Sequence, residues 1–271
     1  YDNIIMDSRL ELDGWGVGVN VGFLYQVTPK LKIGGSYRSP VDIDLKGNNR
    51  VYVYFPNRAE IIQSDSSALP YFSGGLATAS PEVKTTLKLP SELGAGFAYQ
   101  PTEKFTLTAD LSWTEWSRMK ILDLNYTKRA FWSFPDTSFR AGNYGLSPIG
   151  TPLDSAIAFN WKDVTRFSMG VEYLLREGLT ARAGFYHDPT AVPNSTLNPL
   201  ILDFADKNSL NLGVSYKINV YEVGYNFEYI NYDNRQVTKI EDVNQDRVFD
   251  NFPGKYTSAQ YSSYFYFTYR F

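Results

Sequence analysis

The feature that most constrains this chain is an alternation of period two that recurs almost from end to end. In "GVGVNVGFLYQ", Val17, Val19, Val21, Phe23 and Tyr25 fall on one side of an extended chain, and Gly18, Asn20, Gly22 and Leu24 on the other. In "LKIGGSYRSPVDIDLKG", Leu31, Ile33, Tyr37, Val41, Ile43 and Leu45 alternate with Lys32, Ser36, Arg38, Asp42, Asp44 and Lys46. The same pattern returns over 87–99, 105–113, 167–173, 179–185, 210–216 and 221–229, and again in the final "SSYFYFTYRF". Successive side chains of a β-strand point to opposite faces, so strict alternation is a strand signature. The pattern predicts an all-β chain of about nine strands, with 31–45 read as one long strand.

The connections sort by length. "VTPK", "QPTEK", "LREG" and "KIN" are short, whereas the joins near 48–82, 123–162, 189–207 and 233–255 are long. Short turns on one side and long loops on the other are the arrangement of an outer-membrane β-barrel. A soluble β-sandwich, the competing reading, has no reason to sort its loops this way.

Composition agrees with the barrel. Tyrosine (21) and phenylalanine (18) are abundant, yet mean hydropathy is −0.31 and no run of 18 apolar residues exists. Alternating lipid-facing and lumen-facing residues average out in this way, and aromatic girdles raise the ring count. The second face mixes Gly, Ser, Thr and Asn with charges of both signs, among them Arg38, Asp42, Arg166, Glu172 and Arg182. These are candidate lumen residues, and most are expected to pair, because unpaired charge in a crowded lumen is costly. Zero cysteines exclude a disulfide framework and a thiolate zinc site. A net charge of −3 gives no argument for nucleic acid.

No catalytic constellation is visible. His187, in "YHDP", is the sole histidine, and no Gly-rich phosphate loop opens a helix. No enzyme activity and no cofactor are expected. "DVNQDRVFD" places Asp242, Asn244, Asp246 and Asp250 with partial calcium-loop spacing. Arg247 stands where the sharp turn wants Gly and no Glu closes the loop, so a solvated acidic loop competes with a metal site. The long loops are apolar: Leu69, Tyr71 and Phe72 in one, and Phe131, Trp132, Phe134 and Phe139 in another, with Phe159 and Trp161 beyond. Loops facing water carry such clusters to bury them or to bind with them.

Several stretches together resemble the FadL/TodX family of outer-membrane transporters for long-chain fatty acids and other hydrophobic compounds. They are "GWGVGVNVGFLYQVTPKLKIGGSYRSPVDIDLKG", "LKLPSELGAGFAYQPTEKFTLTADLSWTEWSRM" and "WKDVTRFSMGVEYLLREGLTARAGFYHDPTAVP", followed by Asp206-Lys207 before "LNLGVSY". The resemblance implies a fourteen-stranded barrel with an N-terminal hatch. Residues 1–271 would then be a single barrel domain corresponding to its C-terminal part, lacking the hatch and roughly the first five strands. An odd strand count does not close normally, so a missing N-terminal barrel segment or a partner chain is expected. The chain opens on Tyr1 without Met or leader, read as processing or as part of a longer polypeptide.

The resemblance further implies an outer-membrane location, membrane lipid as surroundings, and passive uptake of a hydrophobic small molecule caught by the apolar outer loops. The alternative is a FadL-like barrel that is a structural or partner-binding component of an envelope complex. Phe267, Tyr269 and Phe271 resemble the terminal signal that outer-membrane proteins present to their assembly machinery.

Overall fold

The computed structural model describes residues 5–64, 74, 76–126, 155–198, 203–245 and 249–270. Its strands, in chain order, are β1 (Ile5–Trp15), β2 (Asn20–Thr28), β3 (Leu31–Arg38), β4 (Val41–Tyr54), β5 (Leu76–Ala79), β6 (Glu82–Leu89), β7 (Glu92–Thr102), β8 (Phe105–Thr114), β9 (Ile121–Tyr126), β10 (Ser155–Ala158), β11 (Val164–Arg176), β12 (Leu179–Asp188), β13 (Lys207–Ile218), β14 (Tyr221–Tyr232), β15 (Arg235–Val237), β16 (Gly254–Tyr256) and β17 (Ala259–Tyr269). Among the described residues no helix is long and apolar enough to cross a membrane. Two compact units emerge.

The larger unit, Val17–Val41, Lys88–Ile121 and Ala158–Phe271, carries a nine-stranded sheet in the order β2-β3-β7-β8-β11-β12-β13-β14-β17. Every neighbouring pair is antiparallel. These nine strands are the nine that the alternation marks. Four hairpins turn through two residues each: Pro29-Lys30, Glu103-Lys104, Glu177-Gly178 and Asn219-Val220. In the last two of these turns Gly178 (φ 77°) and Asn219 (φ 54°) supply left-handed backbone.

Register fixes the two faces. Val21, Tyr37, Leu93, Trp113 and Thr165 stand in line across β2, β3, β7, β8 and β11. Gly22, Ser36, Gly94, Ser112 and Arg166 form the row next to it and point the other way. The apolar face is bare: Phe23 is 63% exposed, Phe265 82% and Phe267 65%. Between β14 and β17 it forms an aromatic ladder. Tyr221 lies 5.8 Å from Phe267 and 5.4 Å from Tyr269, Tyr225 lies 4.8 Å from Phe265, and Tyr229 lies 5.0 Å from Tyr261. A continuous apolar face of this extent is stable only against an apolar phase.

Two expected strands are each broken by a proline. The run 31–45 divides at Ser39-Pro40, so β3 stays in the nine-stranded sheet while β4 enters another. The run 87–99 divides at Pro90 into β6 and β7. Proline has no N–H for the ladder, so each break falls where pairing must change partner. Both breaks are tied down: the Ser39 N–H donates to Val19 O, the Glu115 N–H donates to Ser91 O, and Ser91 Oγ donates to Glu115 Oε2 at 2.7 Å.

The smaller unit, Tyr1–Gly16, Asp42–Leu87 and Leu122–Ile157, holds a six-stranded sheet in the order β1-β4-β6-β9-β10, with β5 also paired to β4, and one short helix, α1 (Ala59–Ser64). Val83 and Leu124 are buried in it. Charge pairs run along its strands: Glu11 receives Arg9 at 2.9 Å and Arg50 at 2.7 Å, and Lys46 lies 3.5 Å from Glu82.

Candidate functional site

On the polar face of the nine-stranded sheet, side chains from β11, β12, β13, β14 and β17 meet near the short turns. Arg182 is the centre. Its Nε donates to Glu172 Oε2 at 2.7 Å, and its Nη1 to Ser215 Oγ at 2.8 Å and the Tyr266 hydroxyl at 3.4 Å. Tyr266 in turn donates to Glu222 Oε1 at 3.1 Å, and Arg270 donates to Glu222 Oε2 at 2.9 Å. Glu222 is the most enclosed of the charged members, with its side chain 12% exposed. Two cations and two carboxylates thus balance in one belt. Gly224 makes the belt possible: a Cβ there would lie 2.3 Å from the Tyr266 ring, so only glycine lets that ring lie across β14.

Beside the belt, Gly170, Gly184 and Gly213 floor a depression of about 320 Å³ bordered by Asn211, Asn226 and Tyr264. A second depression, of about 620 Å³, is floored by Gly34, Gly94 and Gly96 and edged by Leu24, Lys32 and Asp110. Small residues leave this face recessed.

The expected lumen residues divide. Arg38 lies 3.6 Å from Glu92, its register partner on β7. The Arg166 guanidinium sits 4.3 Å over the Tyr186 ring. Glu172 and Arg182 join the belt. Asp42 stands on β4, beyond the Pro40 break, in the smaller sheet. The apolar loop residues Leu69, Tyr71, Phe72, Phe131, Trp132, Phe134 and Phe139 lie outside the described residues. So do Asp246 and Phe271. The Asp250 carboxylate receives the Val243 N–H at 2.7 Å. No group of three or more metal-ligating side chains occurs among the described residues. His187 Nδ1 pairs with Asn208 Oδ1 at 2.9 Å. Phe267 and Tyr269 belong to the aromatic ladder.

The long connections contain order that alternation could not reveal. Val192, Leu197 and Val237 form a buried cluster with Trp161, Phe204 and Tyr256 packed against it. Trp161 also meets Trp116 edge-on at 5.0 Å and Phe159 at 5.2 Å. Arg235, on β15, donates to Asn194 Oδ1, Phe204 O and Val192 O, each at 2.7 Å. Burial pulls its guanidinium below its ordinary pKa, against the opposing pull of Asp206 and Asp203. Lys207 pairs with Asp188 at 3.2 Å and with Asp203, closing the base of the β12–β13 connection.

An apolar outer face, a recessed polar inner face and loops sorted by length describe part of a membrane barrel wall. A sequence model of the family described as outer membrane protein transport protein (OMPP1/FadL/TodX) matches residues 3–271. The chain belongs to this family. It is an outer-membrane protein, and its nine-stranded sheet is a partial barrel of the FadL/TodX fold. The 47 kDa outer membrane protein of Pasteurella multocida (strain Pm70) is 27% identical over 213 residues, 78% of this chain and 42% of the relative. The long-chain fatty acid transport protein of Escherichia coli (strain K12) is 28% identical over 212 residues, 78% of this chain and 41% of the relative. The crystal structure of the Pseudomonas putida toluene transporter TodX matches with a TM-score of 0.55 at 16% identity, covering 96% of this chain and 50% of that one. The chain spans less than half the length of these curated relatives. The family is one of transport proteins rather than enzymes.

Proposed function

We propose that the protein is an outer-membrane channel for passive uptake of hydrophobic small molecules such as long-chain fatty acids. The observation that carries this reading is the recessed, glycine-floored polar face set behind a lipid-compatible apolar one, in a chain of the OMPP1/FadL/TodX family. The names of the relatives point to long-chain fatty acids and to toluene, and the shared property is an apolar body. In this reading the apolar loop residues from Leu69 to Phe72 and from Phe131 to Phe139 capture the ligand, and the lumen wall conducts it down its gradient. The polar belt around Arg182 leaves few unpaired charges for an apolar solute to displace.

The test is uptake of radiolabelled oleate and of toluene by cells that lack their own transporter for each, with the protein displayed at a measured surface abundance. Faster entry of either compound than in vector controls supports the channel. Equal entry at normal abundance refutes it, and favours a structural or partner-binding component of the envelope.

A further inference from the structure

We propose that Arg235 locks the described outer connections of the larger unit into a single body that opens only as a whole. The connection between β14 and β17 carries Arg235, while all three of its acceptors, Asn194 Oδ1, Val192 O and Phe204 O, belong to the connection between β12 and β13. A guanidinium presents five donors in a rigid fork, so it can hold three acceptors from different directions at once. Val192 is 3% exposed, so its carbonyl has no ready water to replace the guanidinium.

Further bonds make the joint continuous. Asn251, 1% exposed, donates to Asn194 O and Lys239 O and accepts from the Glu241 N–H. The Phe252 N–H donates to Leu197 O at 3.0 Å. A third connection, between β8 and β11, is attached through the same stretch of the β12–β13 connection. Thr196 Oγ1 donates to Phe159 O at 2.5 Å, the Lys162 N–H donates to Ala191 O at 2.9 Å, and Trp161 packs on the Val192–Leu197–Val237 cluster. Separating any one connection therefore strips buried acceptors in another. These three segments keep one fixed arrangement among themselves, and a ligand that passes them does so without their parting. The inference rests on this geometry and not on the transport reading.

Hydrogen exchange followed by mass spectrometry on the whole protein in lipid nanodiscs tests it. In Arg235→Met, amides of 158–163, 190–198 and 232–245 should all exchange about tenfold faster or more, together, while β11, β12 and β13 keep wild-type rates. Arg235→Lys should reproduce most of that change, because an ammonium is a point charge on a flexible stem and cannot span three acceptors. Acceleration confined to 232–245, or wild-type rates in Arg235→Lys, overturns the proposal. If Arg235→Met does not reach the membrane folded, Asn194→Ala removes only the acceptor of Nε. It should still speed all three segments in concert by a smaller factor, and a change in 190–198 alone overturns the lock.

Discussion

Replacing Glu222 with leucine should destabilise the barrel wall more than replacing Arg182 with methionine, although Arg182 makes more of the belt's bonds. The reason is what each change leaves behind. Without Arg182, Glu222 keeps the Tyr266 hydroxyl at 3.1 Å and Arg270 at 2.9 Å. Glu172, whose side chain is 47% exposed, turns to water. The loss is one half-exposed ion pair, about 0–1 kcal/mol, and the Ser215 bond, about 1 kcal/mol; the long Tyr266 bond at 3.4 Å adds little, and a methionine stem preserves the methylene packing. The total is about 1–2 kcal/mol. Without Glu222, Arg182 and Arg270 lose the carboxylate that stands between them, and the Tyr266 hydroxyl loses its acceptor. Breaking an enclosed pair costs about 3–5 kcal/mol when one charge stays buried. Here Arg270 is 60% exposed and Arg182 retains Glu172, so about 1.5–3 kcal/mol is expected. Urea unfolding in lipid vesicles, followed by tryptophan fluorescence, gives both values. The single variants should not simply add, since Arg182 and Glu222 approach to 3.9 Å. A larger loss for Arg182→Met than for Glu222→Leu would refute the reasoning.

Three further outcomes are expected. Gly224→Ala should cost about 1–3 kcal/mol in the same unfolding assay, because its Cβ must displace the Tyr266 ring, and little in a Tyr266→Ala background; equal costs in both would show that the ring is not the obstacle. Leu212→Arg, on the exposed apolar face, should cost about 2–4 kcal/mol, whereas Asn211→Arg, one residue away on the polar face, should cost well under half of that, and similar values would disprove the face assignment. Serine at Phe131, Trp132 and Phe134 together should reduce oleate or toluene entry while surface abundance stays normal, since each aromatic contributes up to about 1.5–3 kcal/mol of apolar contact. Undiminished entry would remove these residues from ligand capture.

What the sequence determined by itself was whatever a single strand can carry. Alternation marks all nine strands of the large sheet, because period two is written residue by residue and each apolar set faces one side regardless of its partner. Loop lengths separate the two ends for the same reason. The family resemblance and the outer-membrane location follow from stretches that lie in order along the chain. The tertiary structure decided what depends on partners far apart in sequence. Pro40 and Pro90 were visible, but whether each ends a strand or only bends it depends on which neighbour the next segment pairs with, and β4 and β6 pair within a second sheet. Arg182 was legible as an inward charge; its meeting with Tyr266 depends on the accumulated register of β12, β13, β14 and β17 and on a glycine that leaves room for the ring. Arg235 gave no periodic signal at all, because it acts across an irregular connection on two backbone carbonyls and an amide oxygen, and backbone acceptors carry no side-chain signature in a sequence.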